Sequence, residues 1–298
     1  MTTTIHPITT VEHCQYFQEL ERRVWSSEDM DIMPVHVLIT VAKNGGILLG
    51  AYADDGSPEL KGLVGMTLGW YGIGDNKLTG QRQLKLCSHM AGVLPEWQGQ
   101  RIGLQLKLAQ REATLAHGQT DWITWTYDPL YRANAVFNIH RLGATCNTYF
   151  PNHYGEMTDG LNAGMPSDRC QVDWYLRSEH VVQVAEQTAG SKGQGAGGKE
   201  QGARGKGQGA RENLQVLPTA PSGEFRQPVE VALQLDGAPL AVPIPDHIGA
   251  IRRADRALGM AWRLYVRNML QTAFAGGYTM VDCIHIPEQG WHYLLVHK

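Results

Sequence analysis

Along this chain the apolar positions change their period several times, and each change marks an element. TTIHPIT near the start reads as a short strand. From Val11 to Trp25, Phe17, Leu20 and Val24 recur at helical spacing. Pro34 can open a second helix, PVHVLITVAKN, which Gly45 and Gly46 close. GILLGAYA and LKGLVGMTLGWYG read as strands joined by the turn-rich DDGSPE, and a further strand runs from about Leu84 to Leu94. The spacing then predicts a helix from Ile102 to His117. Its apolar face carries Ile102, Leu106, Ala109, Ala113 and Ala116, and Gly118 stops it. DWITWTY is a strand of β-branched and aromatic residues, halted by Asp128-Pro129. Ala133 to Leu142 predicts another helix with Gly143 at its C-cap, and strands follow near Thr145 to Phe150 and Cys170 to Leu176.

The pattern breaks after that. From Lys192 the chain reads KGQGAGG, KEQGARG, KGQGARE, three tandem seven-residue units with no apolar positions to form a coiled-coil seam. Such a composition cannot offset the entropy of ordering, so residues 188–213 are expected to be a disordered linker. Beyond it, PVEVALQLD and PLAVPIP read as short strands. A long helix follows from about Asp246 to Phe274, with Ile248, Ile251, Leu258, Trp262, Val266 and Leu270 as its apolar stripe. GYTMVDCIHI and WHYLLVHK form a hairpin around Pro287 to Gly290. The expectation is an α+β chain: a first domain over 1–182, the linker, and a C-terminal ββαββ extension over 214–298. That extension is either a layer added to the first domain's sheet or a compact second lobe. The central strand–helix–strand unit should be a right-handed parallel crossover.

Composition narrows the function classes. A chain of 298 residues that is 43% hydrophobic can bury a full core, and a net charge of −3 gives no global reason to bind nucleic acid or an acidic membrane surface. MTTTIHPITT has neither the basic nor the apolar region of a signal peptide, and no apolar run is long enough to span a bilayer. Cys14, Cys87, Cys146, Cys170 and Cys283 form no C-x-x-C pair, which suits a reducing, cytoplasmic setting. No cluster has metal-ligand spacing, and no G-x-S-x-G elbow is present.

One stretch carries chemistry. In VLPEWQGQRIGLQL, residues 93–106, Pro95 ends a strand, Gly99 permits a tight turn, and Gly103 opens the first helical turn. The N–H groups of residues 99–104 have no intrahelical partners and lie at the positive end of a helix dipole. They can cradle a pyrophosphate, or they can belong to an ordinary turn that meets water or the Gln98 and Gln100 side chains. A G-x-G-x-x-G dinucleotide loop and a G-K-S/T P-loop are both absent.

P-E-W-Q-G-Q-R-I-G, residues 95–103, resembles the acyl-CoA pyrophosphate loop of the GNAT N-acetyltransferase superfamily, R/Q-x-x-G-x-G/A. Gln98 and Gly103 match its ends, and Arg101 stands at the middle glycine. The element order over about residues 3 to 178 follows the GNAT arrangement. WTYDPLYRANAVFNIHRLGA and NHYGEMTDGLNAGMPSDRC resemble a little-characterised subgroup of predicted GNAT acetyltransferases, a likeness that continues into the C-terminal lobe.

The resemblance implies a GNAT-like mixed central sheet flanked by helices. It implies acetyl-CoA, or another acyl-CoA, as co-substrate, with no metal. The reaction is direct attack of a small-molecule amine on the thioester, without nucleic-acid or membrane partners; a homodimer is compatible with it. The pyrophosphate falls to Gln98, Gly99, Gln100, Arg101, Ile102, Gly103 and Leu104. The pantetheine arm lies between the strand before the loop and the strand after its helix, on the backbone of Met90, Gly92 and Val93. Asn134, opening the next helix, contacts coenzyme A and can also cap that helix. Arg101 pairs with a phosphate if its backbone is already helical. His89 is the candidate base, with Asp128 at the end of the following strand and Asn138 near the sulfur. The family's proton-donating tyrosine falls on Ile139, leaving Tyr127, Tyr149, Tyr154 or water for that step. Asp29, Asp31, Asp159 and Asp168 fall in loops facing the acceptor. Two alternatives remain: an acyl-CoA sensor of the same fold, and a partner protein using the C-terminal helix and the basic insertion.

Overall fold

The computed structural model describes residues 3–25, 32–155, 165–190 and 213–297. The chain is α+β, and it divides into two compact units: 1–125 with 175–177, and 126–174 with 178–298. Most of the glycine-rich run, residues 191–212, lies outside the described residues; its expected start at 188 falls within a helix that continues to Gly190.

The first unit opens with β1 (Thr3–Pro7), α1 (Val11–Trp25), α2 (Val35–Lys43) and β2 (Ile47–Ala53). It continues with β3 (Leu63–Asp75), β4 (Arg82–Val93) and α3 (Ile102–His117), and then enters β5 (Trp122–Tyr127). β1 to β4 pair antiparallel in chain order, while β5 joins β4 in parallel through Leu86–Ile123 and Cys87–Thr124. Phe17 and Leu20 of α1 and Leu38 of α2 pack with Met66, Leu68 and Leu94 in one apolar cluster. α3 packs close to β3 where Gly65 stands. A Cβ there would lie 3.2 Å from both Ile102 Cγ2 and Leu106 Cδ1, so the missing side chain sets that approach.

The span of α3 is as expected, and so is the burial of Ile102 and Leu106, but the rest of its buried face is not. Ile102, Leu106, Lys107, Gln110 and Thr114 are buried, whereas Ala116 is exposed. The alanines suggested an apolar stripe, yet the sheet selects a polar-lined strip one position round the helix.

The second unit takes the end of β5 and then α4 (Arg132–Ala135), β6 (Thr145–Phe150) and β7 (Arg169–Tyr175), whose last residue returns to the first unit. α5 (Glu179–Gly190), β8 (Gln215–Val216), β9 (Thr219–Ser222), β10 (Phe225–Pro228) and β11 (Leu240–Pro243) follow. α6 (Ile248–Ala254), α7 (Arg256–Ala275), β12 (Tyr278–Ile286) and β13 (Gly290–His297) complete the chain. Here the strand order is β7-β6-β12-β13-β11-β8, and β9 and β10 form a separate hairpin. Met280 of β12 pairs with Cys146 of β6, so the C-terminal hairpin extends the β6–β7 pair. Trp262, Val266 and Leu270 of α7 are buried, as the stripe predicts.

Three expectations change in this unit. The long helix is broken at Asp255, whose extended backbone and side chain cap α7 by accepting the Leu258 N–H at 2.9 Å. PVEVALQLD is no strand beyond Pro228: residues 229–235 join no ladder, because alternation predicts extended backbone but not a pairing partner. The helix expected from Ala133 is only the four-residue α4, followed by a π-helical turn over Val136–Arg141.

Candidate functional site

Pro95 to Trp97 form one 3-10 turn after β4. Gln98 then reaches back, its Nε2 donating to the Val93 carbonyl at 3.1 Å, and so ties the loop to the strand it leaves. Gly99 has φ 79° and Arg101 φ 63°, two left-handed residues that turn the chain sharply into α3. Arg101 therefore departs from the helical backbone expected of it. It occupies a conformation suited to glycine, at a cost of about 1 kcal/mol. Its side chain is exposed.

The first helical-type bond after this turn is Gln105 N–H to the Arg101 carbonyl at 3.0 Å. The N–H groups of residues 99–104 find no acceptor among the described residues. Six successive donors thus stand at the start of a sixteen-residue helix, three of them in its first turn. Gln98, Gly99 and Gln100 are exposed, so solvent or a ligand reaches the turn; Ile102 is buried and anchors it.

Before this loop β4 keeps β3 as its partner but leaves β5. The β3–β4 register slips at His89, so that Leu68 faces Met90 while Gly69 faces Ser88. Such a bulge bends a strand and re-aims its side chains. The parallel ladder to β5 covers only Leu86 and Cys87, so Met90 to Val93 stay paired with β3 and lie beyond it. Gly92 is needed for packing: a Cβ would come within 2.9 Å of Val24 Cγ1 and 2.8 Å of Trp25 Cη2. His89 packs on Trp70 with ring centroids 4.7 Å apart and the rings tilted by 38°, and the water lost to burial lowers its pKa. The residue as a whole is exposed.

Sequence reasoning missed one group in this unit. Lys107 of α3 is 2% exposed. Its Nζ donates to Ser88 Oγ and to Gln110 Oε1, both at 2.9 Å, and sits 3.7 Å from the centre of the Trp125 ring. Ser88 lies one residue past the last β4 rung to β5, and Trp125 one residue past its partner. The ammonium therefore stands where the paired rungs end. Burial pushes its pKa down to about 7. The only sequence signal was a lysine four residues after Gly103, on a helix otherwise read by its alanines.

The remaining candidates belong to the second unit. Asp128 is buried, and Arg263 grips both its oxygens, Nη1 to Oδ1 at 2.9 Å and Nη2 to Oδ2 at 2.6 Å. Oδ1 also accepts the Leu130 N–H at 2.9 Å, while Arg252 and Arg169 approach Oδ2 at 3.8 and 4.0 Å. Asn134 does not open its helix: Tyr131 holds the N-cap position, and Asn134 is an exposed residue within α4. Asn138 and Ile139 are both buried in the π turn.

Tyr127 donates to Tyr293 Oη at 3.1 Å, and Tyr149 to Asp168 Oδ2 at 2.6 Å. Burial, with those partners, raises both phenols far above their ordinary pKa. Tyr154 is exposed and shares a 2.9 Å hydrogen bond with Thr126. Burial alone would raise Asp168, but the Arg267 fork at 2.7 and 2.8 Å, with Tyr149, holds its carboxyl below the ordinary range. Asp29, Asp31 and Asp159 lie outside the described residues. Among the described residues no His, Cys, Asp and Glu group could hold a metal ion, and no helix is long and apolar enough to cross a membrane.

No protein-family model and no curated relative matches the chain. Among solved structures, the chain is similar to one of Arabidopsis thaliana NAA60 in complex with acetyl-CoA, at 11% identity and TM-score 0.46, covering 59% of this chain and 99% of that one. A structure of the NatC complex bound to Gag peptide and CoA matches at 13% identity and TM-score 0.45, over 59% of this chain and 99% of that one. The PaiA N-acetyltransferase of Thermoplasma acidophilum, in complex with coenzyme A, matches at 17% identity and TM-score 0.40, over 59% of this chain and all of that one.

Proposed function

We propose that the chain is an acyl-CoA-dependent acyltransferase of the GNAT type, moving an acetyl group from acetyl-CoA to an amine of a small molecule. One observation carries the reading: the run of N–H groups without acceptors from Gly99 to Leu104, at the start of α3. A pyrophosphate would accept from these donors and meet the positive end of the helix. The pantetheine arm would follow the backbone of Met90, Gly92 and Val93, beyond the β4–β5 rungs. Arg101, exposed at the turn, supplies a charged partner for a phosphate oxygen.

His89 serves as the base. Its lowered pKa keeps the imidazole neutral near pH 7, able to take a proton from the attacking nitrogen. Asp128, held by Arg263 on both oxygens, suits an anchoring part better than proton transfer. A second reading, an acyl-CoA sensor without turnover, is favoured by Ile139 at the sequence position where the family's pattern has its donor tyrosine. Thiol release from acetyl-CoA, followed across a panel of small amines and short peptides, decides between them. Release that depends on one acceptor class supports the enzyme. Binding without release supports the sensor.

A further inference from the structure

Breaking a thioester leaves a thiolate, and some group has to supply its proton. Tyr127 and Tyr149 are raised far too high to give one readily near pH 7, and Ile139 has none to give. Lys107, in the first unit, carries another proton. Its ammonium touches Ser88 of β4 and lies over the Trp125 ring of β5, at the level where the paired rungs of those strands stop. We propose that Lys107 is the general acid of the transfer, giving a proton from Nζ to the departing sulfur of coenzyme A. This rests on the acyl-CoA reading above, since it needs the pantetheine end to lie between β4 and β5.

The groups around Nζ suit that task. Ser88 and Gln110 accept two of its N–H bonds, and Trp125 offers its face, all of which favour the charged form. Cys87, on β4, is the titratable neighbour, and burial raises its own thiol. Burial acts against the charge and leaves Lys107 titrating at about 7, close to pH 7 and below a free thiol near 8.5. Transfer from such a lysine to a thiolate is downhill. The balance is simple. The substrate nitrogen bonds the carbonyl carbon, the C–S bond breaks, and its electron pair stays on sulfur. Lys107 protonates that sulfur and becomes a neutral amine. The proton lost by the substrate nitrogen leaves through His89 to solvent, and solvent reprotonates Lys107 after coenzyme A departs.

Coenzyme A itself is the probe, so no acceptor need be known. The thiol of bound CoA is titrated by its thiolate absorbance in the wild-type protein, in Lys107→Met and in Lys107→Arg. Because the wild-type amine titrates at about 7, it is neutral where the thiol ionises, so the wild type and Lys107→Met should share a thiol pKa near the free value, with the Kd for CoA changed by less than about threefold. Lys107→Arg, whose charge does not titrate away, should make the same thiol ionise about tenfold more readily than Lys107→Met does. Lys107→Gln, which keeps a polar head, replaces the methionine variant if that one does not fold. The same thiol pKa in Lys107→Arg and Lys107→Met places Nζ out of reach of the sulfur, overturns the proposal and leaves Lys107 as a structural tie. Failure of the wild type to bind CoA overturns the acyl-CoA reading itself.

Discussion

Arg263 holds Asp128 through a two-pronged pair, 2.9 Å to one carboxylate oxygen and 2.6 Å to the other, and is itself 1% exposed. The aspartate follows β5 directly and the arginine lies on α7, so within the second unit the pair ties the chain after that strand to this helix. Removing one partner strands a buried charge. Arg263→Met should therefore lower unfolding stability by about 3–5 kcal/mol, and Asp128→Asn added to it should recover part of that loss. Urea titration of the two variants checks this. A loss under about 1 kcal/mol would mean that the pair is not the anchor described.

How much of this was legible beforehand depends on the distance between partners. The span of α3 followed from local periodicity and from Gly118, and the turn before it from Pro95 and Gly99. Asp128 was visible as a strand end, but its partner stands 135 residues further along the chain, and no local pattern joins them. The left-handed backbone at Arg101 was hidden because an arginine gives no sign of it. The π turn was hidden because one extra residue per turn leaves no mark in the apolar spacing, so counting to Ile139 assumed a regular helix. Lys107 gives no local sign of its burial, because a lysine reads as solvated unless a sheet covers it.

Arg101 gives a test of opposed effects. Arg101→Gly relieves the left-handed backbone, although glycine loses more entropy on folding, so a net gain of about 0.5–1 kcal/mol is expected. Arg101→Ala keeps the strain and should gain nothing. Both should weaken acetyl-CoA binding, more at low salt than at high salt. Thermal unfolding and calorimetry at two ionic strengths read all four quantities.

Lys107 makes stability depend on pH. Its pKa is lowered in the folded chain to about 7, against about 10.4 unfolded, so between those values the unfolded chain binds more protons. Stability should rise with pH across that window, by up to about 1.4 kcal/mol per unit from this group, and be indifferent to it below pH 7. The wild type minus Lys107→Met difference, from denaturant titrations between pH 6.5 and 10, isolates the contribution. Parallel curves would place Lys107 in solvent.

His89 should set the acid limb of the rate. Burial lowers its pKa, so kcat/KM should fall only below a midpoint under the ordinary 6.5. His89→Gln should reduce kcat about 100-fold or more and erase that limb. An unchanged profile would remove His89 from the chemistry.

The central claim is that the donors of residues 99–104 hold a pyrophosphate, and calorimetric titration of the whole chain with acetyl-CoA and with acetyl-pantetheine tests it most directly. Acetyl-CoA should bind at one site per chain, and acetyl-pantetheine, which lacks the pyrophosphate, at least about 100-fold more weakly, a difference near 2.7 kcal/mol. Equal affinity for the two, or no binding of acetyl-CoA at saturating concentration, would contradict it.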